Sequence, residues 1–263
     1  MKVVLFCGGQ GLRLREYNEA VPKPMVPVGA RPILWHVMRY FAHYGHREFI
    51  LCLGYRAEVI KDYFLRYSEA LSNDFVLSAG GRTIEMLSTD IDDWRITFAD
   101  TGLQANIGGR LRAVRKHLGD DDMFLANYGD TLTDAPLDQL IETFRASDKI
   151  AAFLAISPTY SFHVVASEED GTVRSIRHVR DSGMRINGGY FIFRRELFDY
   201  MREGEELVEE PFIRLMEEGR LMAFRYDGFW APMDTLKDKG DLDAMWDRGD
   251  PPWAVWRHGD EAP

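Results

Sequence analysis

Cysteine is scarce in this chain: Cys7 and Cys52 are the two in 263 residues, and both sit inside apolar runs. That excludes a disulfide framework and fits reduced core thiols in a cytoplasmic protein, ahead of a catalytic cysteine. Long hydrophobic runs are missing too. Nothing approaches the ~18 uninterrupted apolar residues of a membrane span. The apolar run from Val3 to Cys7 is too short for a signal-peptide core and leads straight into glycines, so it reads as a first strand. Positive charge is in deficit, with 32 Lys and Arg against 42 Asp and Glu and a formal net charge of −10. Nucleic acid and anionic membranes are therefore not expected partners. A small anion is a different case, because exposed charge is screened beyond roughly 8 Å and local groups decide.

What is present is a regular alternation. Strand-like runs at Val3–Phe6, Phe49–Leu53, Ile96–Ala99 and Met123–Ala126 alternate with apolar residues at helical spacing. Ile33, Leu34, Val37, Met38 and Phe41 mark the first helix, with Gly45 as its stop; Val59, Ile60, Tyr63, Phe64 and Tyr67 mark the second. Leu111, Val114 and Leu118 form the stripe of an arginine-studded third, and Leu137, Leu140, Ile141 and Phe144 a fourth. A hairpin is expected at Gly80-Gly81. This pattern predicts an α/β fold, a Rossmann-like, mixed but mainly parallel sheet covered by helices. The second half is richer in strands (150–156, 162–166, 173–178, 190–193, 221–226), with helices near 196–201, 211–217 and 236–246, and reads as a small strand-rich extension. One domain over 1–263 is expected, with 1–148 mainly a nucleotide-binding half, 149–256 mainly an acceptor-binding half, and 257–263 a loose tail.

The first strand ends in Gly8, Gly9 and Gly11, followed by Arg13 and, ten residues later, Lys23-Pro24-Met25. Missing side chains let backbone N–H groups approach phosphate oxygens, and ligands of open α/β sheets bind at the carboxyl ends of strands. A dinucleotide fingerprint fails because the third glycine position, counted from Gly9, is Leu14. A P-loop fails because no lysine follows in time. A tight structural turn explains the glycines but neither Arg13 nor Lys23. At an effective dielectric near 20, one such cation ~4 Å from a phosphate charge contributes on the order of 4 kcal/mol of gross attraction.

The whole stretch resembles the signature of the sugar nucleotidyltransferases, G-x-G-T-R-L…K-P. Further segments follow in order: RPILWHVM, CLGYRAEVIKDYF, DTG…GGRL, YGDTL, INGGYFIF and GFWAPMDTLKDK. Together they are similar to the glucose-1-phosphate cytidylyltransferases of that family over nearly the whole chain. The resemblance implies the nucleotide-diphospho-sugar transferase fold, CTP and a phosphorylated acceptor as reactants, glucose 1-phosphate first among acceptors, CDP-glucose and pyrophosphate as products, and a homo-oligomer. It assigns a Mg²⁺ ion to Asp130 and Asp234, in YGDTL and PMDTL, with Arg13 and Lys23 as the other catalytic groups.

Nucleotidyl transfer is mainly positioning and charge neutralisation, and a hard divalent cation is held by one or two carboxylates with waters. Asp130 follows a strand and Asp234 precedes a helix, so each could instead be a turn residue or a helix cap. By resemblance Gly8, Gly9, Gly11 and Arg13 line the nucleotide, Gly54, Tyr55, Thr101 and Gly102 hold the base, and Arg110 contacts phosphate, against the plain reading of a solvated helix arginine. Tyr128, His163, Arg177, Asn187, Gly188 and Trp230 are placed near the acceptor, each with a core or turn alternative.

The chain departs from the family pattern at Leu12, where a Thr is usual. The Glu-Lys-Pro segment expected before Asn187 is replaced by SIRHVRDSGMR, leaving Arg177, Arg180 or Arg185 to substitute for a lysine with a different geometry. An Arg-aromatic-Gly is replaced by Ser161-Phe162-His163. These changes leave open another sugar phosphate, or a non-sugar phosphate such as L-glutamine phosphate in capsule or polysaccharide biosynthesis. A rival of another class is a non-catalytic nucleotide- or sugar-phosphate-binding regulator; an NAD-linked oxidoreductase is opposed by the absent glycine.

Overall fold

The computed structural model describes residues 1–9, 21–159 and 162–257. Seven strands form one sheet: β1 Lys2–Phe6, β2 Glu48–Leu53, β3 Arg95–Asp100, β4 Met123–Asn127, β5 Ala151–Ile156, β6 Ile186–Arg194 and β7 Leu221–Tyr226, in the spatial order β7-β5-β6-β4-β1-β2-β3. All neighbours pair in parallel except β6, which is antiparallel to both β4 and β5. Six strands thus end at one edge, and β6 begins there. The order reverses between β4 and β1, which opens a crevice at that edge beside Gly8 and Asp130.

Alternation along each strand splits the apolar residues between two cores. Val3 and Leu5 face one side, with α1 (Ile33–His43), α2 (Ala57–Leu65), α4 (Leu137–Arg145) and α6 (Leu236–Asp247); Val4 and Phe6 face the other, with α3 (Ile107–Val114) and α5 (Glu210–Glu217). Helix limits follow local chemistry. Pro32, with its fixed φ, stands at the N-cap of α1, and Gly45 ends it with φ +83°. Thr235 caps α6 in a reciprocal capping box with Asp238.

The expected strand-rich extension is redistributed. The strands β5, β6 and β7 belong to the central sheet: β6 is apolar on both faces, with Tyr190 and Ile192 in one core and Phe191 and Phe193 in the other, and β7 pairs along β5 as the edge strand. Of the strands expected in the extension, the ribbon His163–Ser167/Val173–His178 stands apart from the central sheet, as does the anticipated hairpin Phe75–Ser78/Thr83–Met86. The helix expected near 196–201 is a 3₁₀ segment, Arg195–Tyr200. The C-terminal segment packs firmly: Trp253 is buried, its indole donates to His36 Nδ1 at 3.3 Å, and the Arg257 guanidinium lies 4.2 Å from the Trp246 ring centroid. Arg257 is therefore not part of a loose tail.

Candidate active site

Asp130 follows β4 through Tyr128 and Gly129, whose φ of +80° permits the tight turn, and Asn127 Oδ1 accepts from Gly129 N at 2.7 Å. The chain then pairs Thr131–Thr133 antiparallel with Trp230–Pro232, and Met233 N donates to Asp130 O at 3.0 Å. That short ribbon brings Asp234, distant in sequence, beside Asp130. Lys23 arrives from a 3₁₀ turn, Lys23–Met25, anchored by buried Pro24 and Met25. Its Nζ donates to Asp130 Oδ2 and to Asp234 Oδ1, each at 2.6 Å. Burial alone would lower the Lys23 pKa, but the two carboxylates outweigh it and hold the ammonium protonated, above its ordinary range. The helix-cap alternative for Asp234 falls away, because Thr235 makes the cap and leaves the Asp234 carboxylate to Lys23.

These two carboxylates converge on one cation position, where the Lys23 ammonium lies between them. Among the described residues no third His, Cys, Asp or Glu joins them. An all-oxygen pair of this kind suits a hard divalent ion that completes its shell with water and phosphate oxygens, so the residues present fit Mg²⁺.

The crevice beside this pair is built by glycines with different tasks. A Cβ on Gly8 would lie 2.0 Å from Arg110 Nη1, and one on Gly54 would lie 2.8 Å from Gly8 O and 2.9 Å from Arg110 Nη1. These glycines make room for an arginine. Gly9 is exposed, and a Cβ there would meet nothing within 4 Å among the described residues. Arg110, expected to contact phosphate, is 3 % exposed instead. Its guanidinium donates to Gly8 O at 3.0 Å, Leu53 O at 3.2 Å, Gly102 O at 3.0 Å and Thr101 Oγ1 at 2.8 Å. It sews together the loops after β1, β2 and β3, because buried carbonyls need donors and water is excluded there. The Thr101 hydroxyl is spent as well, donating to Leu53 O, while Tyr55 N donates to Gly8 O. Gly11 and Arg13, and with them Leu12, lie outside the described residues. Neither thiol is primed as a nucleophile: burial, then Cys52, pushes the Cys7 thiol well up, and burial pushes Cys52 to about 12.

Tyr128, Asn187, Gly188 and Trp230, the residues expected near an acceptor, do come together. Asn187 Nδ2 donates to the Tyr128 hydroxyl at 3.0 Å, and Trp230 Nε1 donates to Gly188 O at 2.7 Å. His163 and Arg177 do not join them. They sit exposed on the outlying ribbon, in register with His178 and Val164, because the ribbon pairs with itself and not with the sheet. Lys237 is a residue that sequence reading passed over although it stands in the GFWAPMDTLKDK segment; with Arg180 it lines a cavity next to Trp230.

A profile of the nucleotidyl transferase family matches residues 2–249. The chain belongs to the nucleotidyl transferase family. Within that family it is 37% identical over 258 residues to proteins named glucose-1-phosphate cytidylyltransferase from Salmonella typhi and from Salmonella typhimurium strain LT2, covering 97% of this chain and 100% of each relative. The solved structure of HddC from Yersinia pseudotuberculosis superposes with a TM-score of 0.64 at 20% identity over 93% of this chain and 99% of that one, a likeness of fold. No helix among the described residues of this nucleotidyl transferase is long and apolar enough to cross a membrane.

Proposed function

We propose that this nucleotidyl transferase joins CTP to glucose 1-phosphate, giving CDP-glucose and pyrophosphate. The end-to-end 37% identity to proteins named for that reaction supports the choice of reactants. The observation that carries turnover over passive binding is the pair Asp130 and Asp234 aimed at one cation position. An oxygen of the sugar phosphate attacks the α-phosphorus of CTP; the new O–P bond forms as the bond to the β-phosphate oxygen breaks, and pyrophosphate leaves with that electron pair. Asp130 and Asp234 would hold Mg²⁺, which when bound supplies neutralisation of phosphate charge. Lys23, which the ion would displace from between the two carboxylates, brings its positive charge to the phosphate oxygens beside them, and Arg13 is assigned a share of the triphosphate. Gly9 offers open backbone to the nucleotide, while Arg110 holds the surrounding loops in position. Tyr128, Asn187 and Trp230 shape the acceptor wall.

The test is pyrophosphate release with Mg²⁺, comparing CTP with UTP and dTTP, and glucose 1-phosphate with other sugar and amino-acid phosphates. CTP with glucose 1-phosphate is expected to give the highest kcat/KM and a product with the mass of CDP-glucose. A chain that binds CTP but releases no pyrophosphate with any acceptor would be a regulator and not an enzyme.

A further inference from the structure

Lys23 and a divalent ion compete for the same two oxygens. The Lys23 ammonium lies 2.6 Å from Asp130 Oδ2 and 2.6 Å from Asp234 Oδ1. A Mg²⁺ ion held by that pair needs contacts of about 2.1 Å to each oxygen, inside the space the ammonium fills. Like charges so close repel strongly, and the two cations exclude each other there. The ammonium is also firmly seated. Its side chain is 13% exposed and the two carboxylates 21% and 19%, so salt and water screen the three charges weakly. The turn beneath it is fixed: Pro24 and Met25 are buried, Met25 N donates to Pro22 O at 2.8 Å, and Val26 N donates to Lys23 O at 3.1 Å. Ile33 N donates to Val26 O at 3.0 Å, which ties the turn to the start of α1. What can move is the flexible four-carbon stem.

We propose that Lys23 locks the Asp130–Asp234 pair against free divalent ions, and that the triphosphate releases the lock. The inference rests on the nucleotidyl-transfer reading above and adds a regulation of its site: the pair takes an ion together with the nucleotide and not before it. A triphosphate offers anionic oxygens to an ammonium leaving its carboxylates, whereas a free ion brings only a competing charge. The same triphosphate supplies ligands that the protein does not. Among the described residues no third His, Cys, Asp or Glu stands with the two aspartates, and Mg²⁺ sheds water reluctantly. Ion and nucleotide therefore raise each other's affinity, by the same factor in both directions. Lys23 meanwhile spares the protein two poorly solvated carboxylates facing each other without a cation.

A shortage of protein ligands would by itself make a free ion bind weakly. The two explanations part when the lysine is removed, because a lock predicts that binding is gained.

The experiment titrates Mn²⁺ into protein without nucleotide and reads free Mn²⁺ by electron paramagnetic resonance. It compares wild type, Lys23→Met, Lys23→Arg and Lys2→Met, a control that breaks a lysine–aspartate pair at the opposite end of β1. Lys23→Met is expected to bind Mn²⁺ about tenfold or more tighter than wild type, while Lys23→Arg and Lys2→Met match wild type. Adding Asp130→Asn to Lys23→Met should remove the gain, which locates the ion at the pair. Equal binding by wild type and Lys23→Met overturns the proposal, as does a gain that survives Asp130→Asn. Should Lys23→Met not fold by circular dichroism, Lys23→Gln replaces it, and wild type also decides by itself. Mg²⁺ without nucleotide is expected to leave its Tm unchanged, and a rise overturns the lock. Wild type that releases pyrophosphate with Mg²⁺ while Lys23→Met gains no Mn²⁺ keeps the reaction and loses the lock. Wild type that releases none loses the reaction, whatever the Mn²⁺ result.

Discussion

Arg110 and Arg180 stand at the same edge of one sheet, yet they are used in opposite ways. Arg110 is buried and donates to the carbonyls of Gly8, Leu53, Gly102 and Leu103. Arg180 is exposed beside two open cavities, with its guanidinium unspent among the described residues. The loops after β1, β2 and β3 are thus held by the protein's own hydrogen bonds, while the turn at Val179 leaves the Arg180 guanidinium without a partner among the described residues. An arginine committed to backbone carbonyls fixes loop positions; one without a partner fixes none.

The two aspartates at that edge give the strongest test. Asp130→Asn and Asp234→Ala are each expected to lower kcat at least ~100-fold in pyrophosphate release, the scale of losing a centre of transition-state charge stabilisation, while the fold persists by circular dichroism. Near-wild-type turnover in both variants would remove the metal assignment. If Arg110 is a builder of the nucleotide side, Arg110→Ala leaves buried carbonyls without donors and costs about 3 kcal/mol in denaturant unfolding. It also raises KM for CTP. A variant of full stability with only KM changed would make it a ligand contact instead.

The neighbouring glycines sharpen the same contrast. Gly8→Ala forces Arg110 aside and is expected to cost about 2 kcal/mol, as overpacking does. Gly9→Ala should leave stability within about 0.5 kcal/mol and raise KM for CTP. Equal stability losses in the two variants would end the distinction between a glycine that fits protein and one that faces ligand.

A smaller effect separates stability from the edge altogether. Burial holds His36 neutral and pulls its pKa to about 4. Its Nε2–H donates to Val28 O at 3.0 Å while Nδ1 accepts from Trp253. The unfolded chain binds this proton near 6.5 and the folded chain near 4, so between those values the unfolded state carries more protons and stability falls on acidification. From pH 7 to pH 5 the loss should be on the order of 1–2 kcal/mol. His36→Gln should flatten that slope in urea titrations; an unchanged slope would place the titrating group elsewhere.

Much of the fold was legible. Apolar runs after β1 alternated with helical stripes because burial on two faces of a parallel sheet imposes that pattern. Strands β5 to β7 were read as an extension, since a sequence shows that a segment is a strand but not which neighbour it pairs with. At the site, Lys23, Asp130 and Asp234 could be named from their motifs. Arg110 was misjudged because α3 carries Arg110, Arg112, Arg115 and Lys116 together, and nothing in that run marks the one on the buried face. His163 and Arg177 lie away from the site because their ribbon pairs with itself and not with the central sheet, a pairing that strand periodicity does not reveal.

The sequence by itself determined the alternation of elements, the glycine loop after the first strand and the inventory of acids and cations, because periodicity and residue chemistry are local. Only the tertiary structure decided which of those groups meet. The ribbon Thr131–Thr133/Trp230–Pro232 brings Asp130 to Asp234, and burial commits Arg110 to carbonyls while the turn at Val179 leaves Arg180 exposed. Pairing and burial are properties of distant segments brought together, and no single segment encodes them.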